Sequence, residues 1–195
     1  MNKVLIVIDA QEDFTRGALR NEEAIKALPV IGEAVRFAHE HDMNMLFTQD
    51  RHWEYKYLNS QEGRNLPIPH CIYGTDGHKF CPEVLIDDKV PGRIIPKGRF
   101  GYTGFDRYYC YDIKWDDQHK CLNDEIWLCG FCTDICVSAN FQILKAQFPE
   151  MPIVVIKDAC AGVTPELHEA ALKVMESCQG KIMTWEELKE RSLKK

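Results

Sequence analysis

Val4-Leu5-Ile6-Val7-Ile8, followed at once by Asp9, is the stretch that decides the fold. Apolar residues in an unbroken run, without alternation, suit a strand covered on both faces, as strands of a parallel sheet are. Runs of the same kind recur at residues 43–48, 94–95, 126–129 and 153–156, with residues 182–183 as a sixth candidate. Helical patterns lie between them. Ile25, Leu28, Ile31, Val35 and Ala38 recur at three- and four-residue spacing, with Pro29 disturbing the first turn. Phe141, Leu144 and Phe148 repeat the pattern, and Leu167, Ala170, Ala171, Val174 and Cys178 form one face behind Thr164 as N-cap and Pro165 at the first helical position. Strands alternating with helices predict the α/β class. The expectation is a single domain over residues 1–195, an open, mainly parallel sheet with helices on both faces, Rossmann-like and three-layered.

Composition narrows the partners. The chain has 195 residues, 45% hydrophobic and 28% charged, as expected of a soluble globular domain. Lys plus Arg is 24 against 30 for Asp plus Glu, a net charge of −6. An acidic chain without a basic patch is a poor binder of nucleic acid or of anionic membrane, so a small molecule is the expected partner. A homo-oligomer is common for such domains, though no residue decides it. The amino-terminal run is too short for a membrane span and lacks the cleavage site of a signal peptide. Nine cysteines, an odd number, then argue for reduced thiols and a cytoplasmic location. Their spacing builds no zinc framework. Cys129–Cys132 is the only C-x-x-C pair, and Cys129 sits inside an apolar run rather than at a helix start.

Open parallel sheets bind ligands beyond the carboxyl ends of their strands. Asp9 follows the first run, Asp50 and His52 the second, Lys97 the third, and residues 130–136 the fourth. Asp9, Lys97 and Cys136 therefore form a candidate catalytic set. A cysteine attacks a carbonyl as thiolate and needs a base, a cation or a helix amino terminus to become one. Asp9 supplies a base and Lys97 a cation. Thr133-Asp134 reads as a capping start that places Cys136 in the first helical turn, where free N–H groups can hold an oxyanion. On spacing alone the ordinary readings stay open: Asp9 capping a turn, Lys97 solvated, Cys136 in the core. The irregular stretch from Arg51 to Arg93, rich in Pro, Gly, His and Asp, has the look of a functional loop region.

The chain resembles the isochorismatase-like cysteine hydrolases. Asp9-Ala10-Gln11-Glu12-Asp13-Phe14 is similar to their D-x-Q-x-D-F opening, and Gly130-Phe131-Cys132-Thr133-Asp134-Ile135-Cys136-Val137 to their nucleophile segment. Pro96-Lys97-Gly98 resembles the lysine segment, and Asp158-Ala159-Cys160-Ala161 and Thr164-Pro165-Glu166-Leu167-His168 the later pieces. Within that family the chain resembles the nicotinamidase branch. Asp50-Arg51-His52 is similar to their D-x-H metal motif and residues 70–77 to their H-C-x-x-G-T-x-G segment. The resemblance implies a cysteine amidohydrolase that releases ammonia from nicotinamide through a thioester. It implies catalysis by Asp9, Lys97 and Cys136, and an oxyanion hole at the N–H groups of Cys132 and Cys136 beside a cis peptide between Phe131 and Cys132. Metal ligation would fall to Asp50, His52 and His70, a set that suits zinc, iron or manganese with positions left for water or substrate. Phe14 and an aromatic from Phe100 or Tyr102 would flank the substrate ring.

Two departures stand out. Where some nicotinamidases carry a third histidine, this chain has Leu58, and Glu62 is the candidate in its place. Where they often carry a tryptophan three residues before the later histidine, it has Pro67. Arg99, just beyond Lys97, suits a carboxylate that nicotinamide lacks. A hydrolase of another small amide or carbamoyl compound therefore remains an alternative, as does a non-catalytic binding protein on the same fold.

Overall fold

The computed structural model describes residues 3–109 and 125–194. Cys110 and Cys121 lie outside the described residues. The apolar runs form β1 (Lys3–Ile8), β2 (Asn44–Asp50), β3 (Arg93–Lys97), β4 (Glu125–Phe131), β5 (Ile153–Ala161) and β6 (Lys181–Met183). They make one sheet in the order β3-β2-β1-β4-β5-β6, with every pairing parallel. Val4 to Ile8 at its centre are wholly buried. Burial of each such side chain contributes roughly 1.5–3 kcal/mol relative to exposure. Pro96 is confined to β3, an edge strand, where a missing N–H costs no ladder bond. Among the described residues no helix is long and apolar enough to cross a membrane.

Helix α1 (Glu22–Glu40) packs on β1, β4 and β5, the short helices α2 (Glu54–Tyr57), α3 (Gln61–Asn65) and α4 (Asp106–Tyr109) follow it in the chain, and α7 (Trp185–Leu193) also packs on β5. Phe37 of α1 packs against both Trp127 of β4 and Trp185 of α7. On α1, Asn21 caps the N–H groups of Glu23 and Ala24. The helix runs straight through Pro29, which lies mid-helix on the exposed side rather than in a disturbed first turn. Its ring displaces a hydrogen bond there only where water can replace it. Helices α5 (Ser138–Gln147) and α6 (Pro165–Ser177) pack on each other, and α6 also packs on β5 and β6.

The expected inward face of α6 is corrected. Ala171, Leu172 and Met175 are buried, whereas Leu167, Ala170 and Val174 face outward. The periodicity was present on both sides of the helix, and the sheet and α5 selected the side that carries Leu172 and Met175. In β5 the register slips against β4 between Leu128 and Gly130. Lys157 and Asp158 there turn outward, and Asp158 Oδ1 accepts the Trp185 N–H that starts α7.

The chain moves one way from β1 to β2 and β3, then returns to place β4 on the other side of β1. The crevice at the carboxyl ends of β1 and β4 is the switch point where such sheets bind ligands. Asp9 leaves β1 with φ 47° and Gly130 stands in β4 with φ 120°. Gly130 pairs with Ile8, and a Cβ there would lie 2.0 Å from the Ile8 carbonyl oxygen. Both the dihedral and the close approach of two main chains therefore require glycine. Gly130→Ala is expected to cost at least about 3 kcal/mol, read as a lower urea midpoint or as loss of folded protein.

Candidate active site

Three strand ends deliver the central charges. Asp9 follows β1, Lys97 ends β3 and Cys136 lies in the turn after β4. All three side chains are buried. Lys97 Nζ is 2.6 Å from Asp9 Oδ2 and 3.5 Å from Cys136 Sγ. The same ammonium lies 3.7 Å from Asp50 Oδ1. Thr48, on the neighbouring strand, donates from Oγ1 to Asp9 Oδ1 at 2.7 Å, and its main chain and hydroxyl both accept the Asp9 N–H. These bonds hold Asp9 in its left-handed backbone conformation and aim one carboxylate oxygen at Lys97.

The electrostatics differ from the sequence expectation in one respect. Burial pushes the Cys136 thiol well above its ordinary range; Lys97 opposes the shift, while Asp9 and Asp50 add to it. The expected depression by Lys97 and the helix start is outweighed, because the sulfur is removed from water. Burial also raises Asp9, against the pull of Lys97. For Lys97 burial favours the neutral amine, but the charges around it prevail and hold the ammonium above its usual range. The resting site is thus a protonated thiol beside a carboxylate made more basic and an ammonium that keeps its proton.

The turn that carries Cys136 spans Thr133–Val137 and leads directly into α5 (Ser138–Gln147). The peptide between Phe131 and Cys132 is cis. Thr133 and Asp134 do not cap this turn, contrary to the sequence reading. The Thr133 hydroxyl bonds His168 Nδ1 at 2.8 Å, and Asp134 Oδ1 accepts the Val163 N–H at 2.9 Å. Asp134 is spent on the segment between β5 and α6 and Thr133 on the first turns of α6 itself, neither of which the sequence could place beside them.

Asp50, His52, Glu62 and His70 bring one ligand atom each to within 4.8 Å of one another. His52 Nε2 lies 2.9 Å from Asp50 Oδ2 and 3.7 Å from Glu62 Oε2, and His70 Nε2 lies 3.5 Å from both carboxylates. An ion with bonds of about 2.0–2.1 Å sets tetrahedral ligand atoms about 3.3 Å apart, so the donor set fits one divalent ion. His70 Nδ1 bonds the Ile68 carbonyl at 3.0 Å, which leaves Nε2 for the ion. Burial works against charge on His70, but Asp50 and Glu62 pull its pKa up to about 10. The same negative field favours a metal cation. Glu62 occupies the fourth position, while Leu58 is exposed and takes no part in the cluster. Four protein donors fill a tetrahedron, so contact with a further molecule requires five- or six-coordination.

A cavity of about 1220 Å³ joins the two centres. Cys132 and Cys136 lie on its wall together with Asp50, Glu62 and His70. Phe14 and Phe100 also line it, and Phe14 meets His70 edge-on at 5.8 Å. Tyr102 does not line this cavity; it packs edge-on against Phe105 at 5.3 Å. Ile68 rather than Pro67 lines the wall before His70, and Arg99 lies beside Phe100.

Sequence reasoning left several supporting residues without a role. The Gln11 side chain clamps the main chain of Asp50, accepting its N–H at 2.7 Å and donating to its carbonyl at 2.9 Å. Asp13 accepts the N–H of Cys71 at 2.6 Å and so anchors the residue next to His70. Both stand in the quoted opening motif, which was the available signal. Asn140, fully buried on α5, carried none beyond being a polar residue on an apolar helix face.

Comparison with known proteins agrees with this geometry. Residues 3–187 match the family model of the isochorismatase domain. The solved pyrazinamidase of Pyrococcus horikoshii in complex with zinc is 27% identical, with a TM-score of 0.72 over 94% of this chain and 99% of that one. A nicotinamidase from Bacillus subtilis is 25% identical, with a TM-score of 0.77 over 93% and 99%. The N-carbamoylsarcosine amidase of Thermoplasma acidophilum, 18% identical with a TM-score of 0.74 over 95% and 97%, shares the fold. No curated protein sequence matches the chain.

Equilibrium dialysis against zinc or manganese is expected to find one ion per chain. Asp50→Ala should weaken that binding by at least about 100-fold, since loss of even a supporting partner costs 10–100-fold.

Proposed function

The chain belongs to the isochorismatase family of hydrolases, and from that premise we propose that it is a cysteine amidohydrolase converting nicotinamide to nicotinate and ammonia. The observation that carries this reading is Lys97, one ammonium within reach of both the Asp9 carboxylate and the Cys136 sulfur, at a cavity that also reaches the four-donor cluster. The proposed metal, zinc with iron or manganese as alternatives, would be held by Asp50, His52, Glu62 and His70. When bound it would supply Lewis acidity for a ring nitrogen.

The chemistry follows from the resting protonation. As the sulfur adds to the amide carbon, its proton passes to the Asp9 carboxylate, made basic by burial. Lys97 keeps its proton and offsets the negative charge that develops on sulfur. The carbonyl oxygen becomes an oxyanion held by the N–H groups of Cys132 and Cys136. Collapse breaks the carbon–nitrogen bond, and Asp9 returns the proton to the leaving nitrogen, which departs as ammonia. Asp9 then takes a proton from water as its oxygen attacks the thioester. The acid leaves and the thiol is restored. Phe14 and Phe100 flank the ring on the cavity wall, and Tyr102 drops out of this role. Arg99 on the same wall favours a second reading, a small amide or carbamoyl compound that carries a carboxylate.

Cys136→Ala and Asp9→Asn are each expected to lower ammonia release from nicotinamide by at least about a thousandfold while circular dichroism stays unchanged. Exhaustive chelation should raise KM for nicotinamide more than it lowers kcat. A screen of small amides settles the substrate: turnover of a carboxylate-bearing amide lost in Arg99→Gln, with none of nicotinamide, favours the second reading. Full activity of Cys136→Ala overturns both.

A further inference from the structure

Asn140 sits one helical turn after Cys136, on the same helix that the nucleophile turn opens into. It is fully buried, and a buried amide persists only where its hydrogen bonds are met. Its Nδ2 donates to the Cys136 carbonyl at 2.7 Å and to the Phe100 carbonyl at 3.2 Å. Its Oδ1 accepts the Tyr102 N–H at 2.9 Å. One side chain therefore ties the nucleophile to the loop that starts immediately after Lys97.

Other parts of α5 shape the same loop. Gln147 Nε2 donates to the Thr103 carbonyl at 2.8 Å. Gly101 lies so close to the helix that a Cβ there would meet Ile143 Cδ1 at 2.4 Å. The loop after Lys97 is thus laid along the helix that carries Cys136. In the sheet itself, β3 and β4 are separated by β2 and β1, so the main chains that carry Lys97 and Cys136 are brought together chiefly by this packing of the loop on α5.

We propose that Asn140 is a positioning residue: it fixes the spacing between the Lys97 ammonium and the Cys136 sulfur and sets the Phe100 wall of the cavity. This rests on the reading of Cys136 as the nucleophile. The role is mechanical, exerted through main-chain carbonyls, and needs both the donor and the acceptor ends of the amide. Asn140→Asp keeps the size and the oxygen that meets Tyr102 but loses both donated bonds.

The test measures iodoacetamide labelling of Cys136, resolved by peptide mass spectrometry, between pH 6 and 9, together with kcat, KM and melting temperature. In Asn140→Asp and Asn140→Ala, Cys136 labelling at pH 7.5 should slow by about tenfold and its pH profile should move, with labelling of Cys178 unchanged. The kcat for ammonia release should fall by a similar factor. A lowered melting temperature with an unmoved Cys136 profile and unchanged kcat overturns the proposal and leaves Asn140 a purely structural residue. Because a carboxylate at position 140 can move the thiol by its charge alone, the uncharged variants decide: should Asn140→Ala fail to fold, Asn140→Leu, close in size and without charge, is read in its place. If the unsubstituted protein releases no ammonia from any amide, the amidohydrolase reading fails, while a shifted Cys136 profile in the uncharged variant still upholds the positioning role.

Discussion

A buried ammonium must be surrounded by compensating charge, and Lys97 shows how that requirement organises the molecule. Its side chain is almost wholly removed from water, with Asp9 at 2.6 Å, Cys136 at 3.5 Å and Asp50 at 3.7 Å. Leaving one partner of such a buried pair without the other costs about 3–5 kcal/mol. The carboxylates of β1 and β2 therefore have to lie where the end of β3 can meet them. Parallel pairing of the three strands in register achieves this, since Asp50 pairs directly with Lys97 across the sheet. The stability of the rim and the chemistry of the rim rest on the same contacts.

Asp50 belongs to two groups at once. One oxygen faces Lys97, and the other faces His52 and His70. Burial raises the cost of its charge, but the two histidines and Lys97 hold the carboxylate ionised, below its ordinary range. The donor cluster and Cys136 are thereby set side by side along one cavity wall. The sheet thus fixes the distance between the cluster and the Cys136 sulfur. Gln11 secures this by gripping the Asp50 main chain as a neighbouring strand would.

Much of the site was legible before any coordinates. Unbroken apolar runs reported strands covered on both faces, because water-free strands have no reason to alternate. Polar residues at the ends of those runs marked the rim, and the order of the motifs from Asp9 to His168 narrowed the chemistry. Where reading failed, the cause was a contact between remote segments. Thr133 and Asp134 have the composition of a cap, yet their side chains reach His168 and Val163. Of the two rings offered for a cavity wall, Phe100 lines it and Tyr102 turns toward Phe105, a choice that spacing left open. On α6 two faces were plausible by spacing, and packing chose the one with Leu172 and Met175.

The linear chain by itself determined the layered α/β architecture and set Asp9, Lys97 and Cys136 beyond apolar runs, because local periodicity and strand ends are properties of neighbouring residues; Asp50, His52 and His70, with Glu62 as the candidate fourth donor, came from the resemblance of their motifs. The fold in three dimensions decided that Glu62 lies with the other three donors and that Asn140 ties Cys136 to the loop after Lys97. It also decided that burial pushes the Cys136 thiol upward against the pull of Lys97. Each of these depends on which distant groups share a water-free space, and that is set only when the sheet closes over its helices.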